Sequence, residues 1–168
     1  MKVVNQADAL IAPLFKSAPK LSDKAKDTLA SWWPWIALIV GVIQLFDAWA
    51  LWKLASATNA LTDYANQVSR ALTGKSAGIS SFDKNMIYVG VVLIAVDAVI
   101  LLMAFPKLQK RLKAGWDLLF LGALVNLAYA VFSIFINGRG VGSFISSLIG
   151  SAIAFWLLYQ VRDRFSKA

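Results

Sequence analysis

Two carboxylic acids and two carboxamides fall inside long apolar stretches of this chain: Gln44, Asp47, Asp97 and Asn126. An ionisable side chain near the centre of a membrane span costs at least about 2.5–3.5 kcal/mol on the milder insertion scales, so each acid needs a reason to be there. Gln44 and Asp47 are three residues apart, hence neighbours on one helical face. No lysine or arginine lies at comparable depth to neutralise either acid. A proton on each, a shared small cation, or a water-filled cavity would each satisfy them. These four residues are therefore the candidate ion- or proton-binding set. The competing reading makes them neutral donors that hold helices in register. Interhelical hydrogen bonds of that kind average only about 0.6 kcal/mol, a small return for two buried acids.

Other chemistries are excluded by composition. Histidine and cysteine are both absent, which removes disulfides, thiol relays, His-ligated haem, His/Cys zinc sites and Ser-His-Asp triads. A shared-proton aspartate dyad remains conceivable, but Asp47 sits in Leu-Phe-Asp-Ala and Asp97 in Ala-Val-Asp-Ala. Neither resembles the Tyr-Asp and Gly-x-Gly-Asp settings of intramembrane aspartyl proteases. No enzyme, catalytic residue, metal site or cofactor is expected.

The elements that must position these residues are four apolar runs, roughly Trp33–Lys53, Met86–Phe105, Gly115–Ile136 and Val141–Val161. Each is long enough to cross about 30 Å of hydrocarbon as a helix. Hydrophobic residues make up 59% of the chain and charged ones 15%, with a mean hydropathy of +0.64. The expected fold is all-α, a four-helix transmembrane bundle over residues 32–161. Residues 1–31 form a basic amphipathic segment, 54–85 a partly helical loop, and 162–168 a basic tail.

The net charge of +8 is a topology signal rather than a nucleic-acid footprint. Twelve basic residues lie before the first run, between the second and third, or after the fourth, against five elsewhere. The positive-inside rule then places both termini and the Pro106–Ala114 loop in the cytoplasm, in a bacterial inner membrane. Lys16, Lys20, Lys24, Lys26, Lys107, Lys110, Arg111 and Lys113 are candidates for anionic lipid headgroups. Ala7, Leu10, Ile11, Leu14 and Phe15 share a helical face, which reads as an interfacial helix on the inner leaflet. Pro19 ends that pattern and Ser22 is the N-cap of a second helix.

In the fourth run, Gly142, Ser146, Gly150 and Ala154 recur every four residues beside Ser143, Ser147 and Ser151. Small residues at that spacing form a helix-packing or oligomer face. Trp32, Trp33, Trp35 and Trp116 read as one aromatic belt, and Trp49 and Trp52 as the other. Leu61, Tyr64, Ala65, Val68 and Leu72 share a face that continues the first helix toward Gly74. Asn137-Gly138-Arg139-Gly140 reads as a tight turn. Asp117 is expected in the first turn of its helix, where the macrodipole favours it. Trp35 and Gly41 match Trp116 and Gly122 in spacing, a weak sign of two tandem helical hairpins. Two functions fit: a small, homo-oligomeric ion- or proton-coupled transporter or channel, or a non-transporting structural or assembly protein.

Overall fold

A 51-residue helix, Asp23–Thr73, dominates the computed structural model, which describes residues 2–75, 81–132 and 141–166. We number the helices α1 (Lys2–Ile11), α2 (Asp23–Thr73), α3 (Ser81–Gln109), α4 (Lys113–Phe132) and α5 (Val141–Val161). Short 3-10 turns cover Ala12–Phe15 and Arg162–Arg164, and no strand occurs among the described residues. Among the described residues three helices are long and apolar enough to cross a membrane: α2, α3 over Tyr88–Gln109, and α4 over Lys113–Val131. The expected fourth span coincides with α5, a helix of 21 residues. The Asn137–Gly140 turn lies outside the described residues.

The start and stop of α2 follow from local chemistry. The Ser22 hydroxyl accepts the Ala25 N–H at 3.3 Å, and Asp23 occupies the first turn. At the other end Gly74 adopts φ +68°, a left-handed conformation that glycine takes without a Cβ penalty, and its N–H donates to the Arg70 carbonyl. At 1.5 Å per residue α2 is about 77 Å long, more than twice the hydrocarbon thickness. Its far half carries the expected apolar face, but Leu61, Tyr64, Val68 and Leu72 are exposed and nothing in the described chain covers them.

Packing runs between sequence neighbours, α2 on α3, α3 on α4 and α4 on α5. The buried residues of α2 are Ala30, Pro34, Ala37, Gly41, Ala48 and Ala55, spaced by threes, fours and sevens. This small-residue seam brings α3 close: a Cβ on Gly41 would stand 3.2 Å from the Ala98 carbonyl oxygen. The connection from α3 to α4 is tighter than the expected Pro106–Ala114 loop. Pro106 lies inside α3, only residues 110–112 separate the helices, and Arg111 turns the chain at φ 57°. Gly115 permits the turn, because a Cβ there would fall 2.8 Å from the Leu108 nitrogen. Asp117 is not in the first turn of α4, which starts at Lys113 and holds no acid there.

The densest core lies at the end where α1, the α3–α4 turn and the chain's C-terminal segment meet, here called the basic end. Val4, Ala30, Leu108, Trp116, Phe120, Phe155, Val161 and Phe165 are buried together. Trp116 is therefore a core residue, 1% exposed, and not part of an aromatic belt. Its indole N–H donates to the Leu158 carbonyl at 2.9 Å, whereas Trp32, Trp35, Trp49 and Trp52 are exposed. The amphipathic face of the N-terminal segment is divided. Ala7, Ile11 and Phe15 pack on the core, while Leu10 and Leu14 point away.

Candidate functional site

The α2 seam that carries Ala37, Gly41 and Ala48 also carries Gln44, because 37, 41, 44 and 48 alternate steps of four and three. That register aims Gln44 at α3 and turns Asp47 out of the seam. Of the four candidate residues, the structure brings three together. Asp97, on α3, is 2% exposed. Its Oδ2 accepts the Gln44 amide at 2.8 Å and the Asn126 amide, from α4, at 2.6 Å. The Asn126 amide also reaches the Gly122 carbonyl at 3.2 Å. Asp47 is exposed. It has no hydrogen-bond or ion-pair partner among the described residues, so the expected sharing of one face with Gln44 does not place it in the site. Three residues span 300° of helical turn only 60° short of a full circle, and the tight α2–α3 approach admits one of the two positions.

Both amides converge on a single carboxylate oxygen, which leaves acceptors over. Asp97 Oδ1 and Gln44 Oε1 are buried with no hydrogen-bond partner among the described residues. Leaving a buried acceptor unpaired costs about 1–3 kcal/mol, so these two oxygens are the unusual atoms of the cluster. Asp97 Oδ1 also rests against Gly122: a Cβ there would lie 2.7 Å from it. The two glycines of the weak repeat thus grip adjacent residues of α3, Gly41 at Ala98 and Gly122 at Asp97. The paired tryptophans are not equivalent, since Trp35 is exposed and Trp116 buried.

The site opens on a cleft of about 180 Å³ lined by Gln44, Asp97, Gly122 and Asn126, with Trp33, Val40, Leu119 and Leu158 as apolar wall. That is room for several waters. A second cleft of about 400 Å³ between α4 and α5 is lined by Tyr129, Gly150 and Ser151 and shares Ala123, Asn126 and Ala154 with the first. Asn126 therefore stands where the two meet. Toward the basic end, Trp116 stacks on Phe120 at 5.2 Å, and Phe120 meets Phe155 at 5.4 Å and Tyr159 at 6.1 Å edge to face. Trp116, Phe120 and Phe155 of this aromatic block are buried in the core.

The small-residue face of α5 is not a tight packing surface within the chain. Gly150 is exposed and a Cβ there would meet nothing within 4 Å. Ser146 is exposed too, while Ser151 and Ala154 line the open cleft. The side chains of Gly142, Ser143 and Ser147 lie outside the described residues. Close approach falls instead on α2, whose small residues repeat at mixed three- and four-residue spacing rather than strictly every four.

All eight basic candidates sit at one end of the bundle. Lys16, Lys20, Lys24, Lys110 and Lys113 are exposed, and Lys26, Lys107 and Arg111 half-buried. Arg111 donates to the Ser31 hydroxyl at 3.0 Å, and Lys26 approaches Asp163 at 3.6 Å. Several residues of this end were not singled out from sequence. Asp8 takes a two-pronged contact from Arg162 at 2.7 and 3.1 Å and accepts the Tyr159 hydroxyl at 2.9 Å. Gln160 accepts the Leu21 N–H at 2.9 Å and donates to the Pro19 carbonyl at 3.0 Å. Local patterning carries no sign of contacts made across some 140–150 residues. Arg164 joins Asp23 and Asp27 at 2.8 and 2.7 Å, and the bond to Asp23 holds its guanidinium pKa above the ordinary value.

No protein-family model, curated protein or solved structure matches this chain.

Proposed function

We propose that this is a four-span, homo-oligomeric protein of a bacterial inner membrane, with both termini cytoplasmic, that moves protons or a small cation by way of Asp97. The observation that carries the reading is the pair of buried acceptors without a hydrogen-bond partner among the described residues, Asp97 Oδ1 and Gln44 Oε1, on two residues that line a cleft. A site meant only to lock helices would close its hydrogen bonds. Here Oδ2 is fixed by two amides from two other helices while Oδ1 lies buried against Gly122 with its acceptor capacity unused, which suits an oxygen that gains and loses a proton without the carboxylate moving. Protons are favoured over a divalent cation because one carboxylate and two amides fall short of the six to eight oxygens, roughly, that a calcium site takes.

Oligomerisation is supported by the open Gly150 face of α5 and by Asp47, an exposed acid on an apolar helix with no partner in the described chain. Anionic lipids are the expected partners of the basic end. The test is proton flux into liposomes carrying the purified protein under a pH gradient. Flux is expected in the wild type, lost in Asp97→Asn and retained in Asp47→Asn. A second reading, a structural or assembly protein, is favoured by one observation: Asp97 ties α2, α3 and α4 at full hydrogen-bond distance. Wild-type protein without flux, together with an Asp97→Asn variant of undiminished stability, would select it.

A further inference from the structure

The bonds from Asp8, Pro19 and Leu21 to the end of α5 fold the N-terminal segment over the bundle, and the fold leaves two adjoining hollows there. One, of about 530 Å³, is lined by Lys26, Lys113, Trp116, Tyr159 and Arg162. The other, of about 370 Å³, shares Lys26, Tyr159 and Arg162 and adds Lys16 and Lys20. We propose that this basin binds a phosphate-bearing anionic group, gripped by Lys26, Lys113 and Arg162 above the Trp116 ring, and that its source is an anionic phospholipid headgroup.

Charge is the first argument. Five cations line the basin against one lining acid, Asp163, and the neighbouring Asp8. Asp163 is shared between Lys26 and Arg164, at 3.6 and 3.1 Å. Lys16, Lys20 and Lys113 have no acid partner among the described residues. Geometry is the second. Arg162 lies over Trp116 with its guanidinium carbon 5.0 Å from the ring centroid, and Asp8 holds two of its N–H groups. Its remaining donors are free to meet phosphate oxygens in the planar array that suits them. The start of α4 points the same way. Helices usually place acids in the first turn to complement the positive end of the dipole, yet α4 places Lys113 there and no acid. Like charges meet at that corner unless an anion completes it.

The lipid source rests on the membrane reading above, since the basin lies at the ends of α4 and α5 where headgroups would stand. It does not depend on proton movement at Asp97, and the two fail separately: flux reports on Asp97, lipid retention on the basin. The experiment is native mass spectrometry of the full chain in detergent, titrated with phosphatidylglycerol or with phosphatidylcholine, with and without inorganic phosphate. One phosphatidylglycerol per chain should be retained in preference to phosphatidylcholine. Lys113→Gln should weaken it at least about ten-fold, the scale of a lost charge-assisted hydrogen bond. Lys113→Arg should restore it. Lys24→Gln and Lys110→Gln, which remove equal charge outside the basin, should each weaken it less than about five-fold, the effect of diffuse surface attraction. Lys113 is exposed, and unchanged thermal unfolding of its variants would show that the fold is intact. Retention of inorganic phosphate without phospholipid preference, sensitive to Lys113→Gln, would keep the site and overturn the lipid source. Equal losses in all three glutamine variants, or no preference for an anionic ligand, would overturn the site itself.

Discussion

Replacing Gly122 by alanine tests whether Asp97 is held as described. The new methyl carbon would sit 2.7 Å from Asp97 Oδ1, and 3.7 and 3.8 Å from Leu101 and Ile100. Only the first contact is impossible, so the carboxylate is what must move. It cannot move without stretching the 2.8 Å bond from Gln44 and the 2.6 Å bond from Asn126. Each bond contributes about 0.5–1.5 kcal/mol net, and overpacking a tight site costs typically about 1–3 kcal/mol. Against this stands the roughly 0.5–1 kcal/mol that alanine gains over glycine within a helix. The net expectation is a loss of about 1–3 kcal/mol. Reversible unfolding in mixed micelles would measure it, with Gly150→Ala as control, where the added carbon meets nothing and stability should hold or rise slightly. The decisive comparison is Gly122→Ala in an Asp97→Ala background, where the obstacle is gone and the substitution should become neutral or favourable. The two positions should then couple by more than about 1 kcal/mol. Equal cost in both backgrounds would refute the argument, because the methyl would then be clashing with something other than Asp97.

Three further outcomes are expected. Gly115→Ala places a carbon 2.8 Å from the backbone nitrogen of Leu108; backbone yields less readily than a side chain, so the loss should reach at least about 1–3 kcal/mol, read by the same unfolding assay. Asp8→Asn weakens the clamp on Arg162 and the Tyr159 hydroxyl. Since the Arg162 side chain is 43% exposed, the global cost should stay at about 1 kcal/mol, but hydrogen exchange and proteolysis over residues 2–15 should rise clearly. Asn126→Ala removes one of two donors from Asp97 Oδ2 and widens the junction of the clefts; cysteine-specific labelling of a Ser151→Cys variant, free of background because the chain has no cysteine, should quicken when Asn126→Ala is added.

The helices, their capping by Ser22 and Gly74, and the presence of Gln44, Asp97 and Asn126 as polar residues in apolar helices were legible from sequence because they rest on local signals: hydropathy, turn residues and polar atoms in apolar runs. What was not legible depends on register. Asp47 and Gln44 share a helical surface in the broad sense, yet the α2 seam is narrower than that surface. Only the alternating spacing of Ala30, Pro34, Ala37, Gly41, Ala48 and Ala55 says which side of it faces α3. That spacing is visible in the sequence and would have turned Asp47 outward. The regular four-residue spacing on α5 does not mark a close contact within the chain, since its Gly150 meets nothing there. Trp116 looked like an interfacial anchor because it follows a basic loop; folding the N-terminal segment over the bundle end buries it. Asp8, Tyr159, Gln160 and Arg162 come together only through that fold-back, and no local pattern announces it.

The central claim is that Asp97 exchanges a proton with water through the cleft. The most direct measurement is the infrared carboxyl absorption of the protein in bilayers, assigned by its disappearance in Asp97→Asn and its persistence in Asp47→Asn. The expected result is an Asp97 band that shifts in deuterated buffer and converts reversibly to carboxylate as pH is changed. An Asp97 band that responds to neither deuterated buffer nor pH would contradict the claim and leave the residue as a dry clamp between three helices.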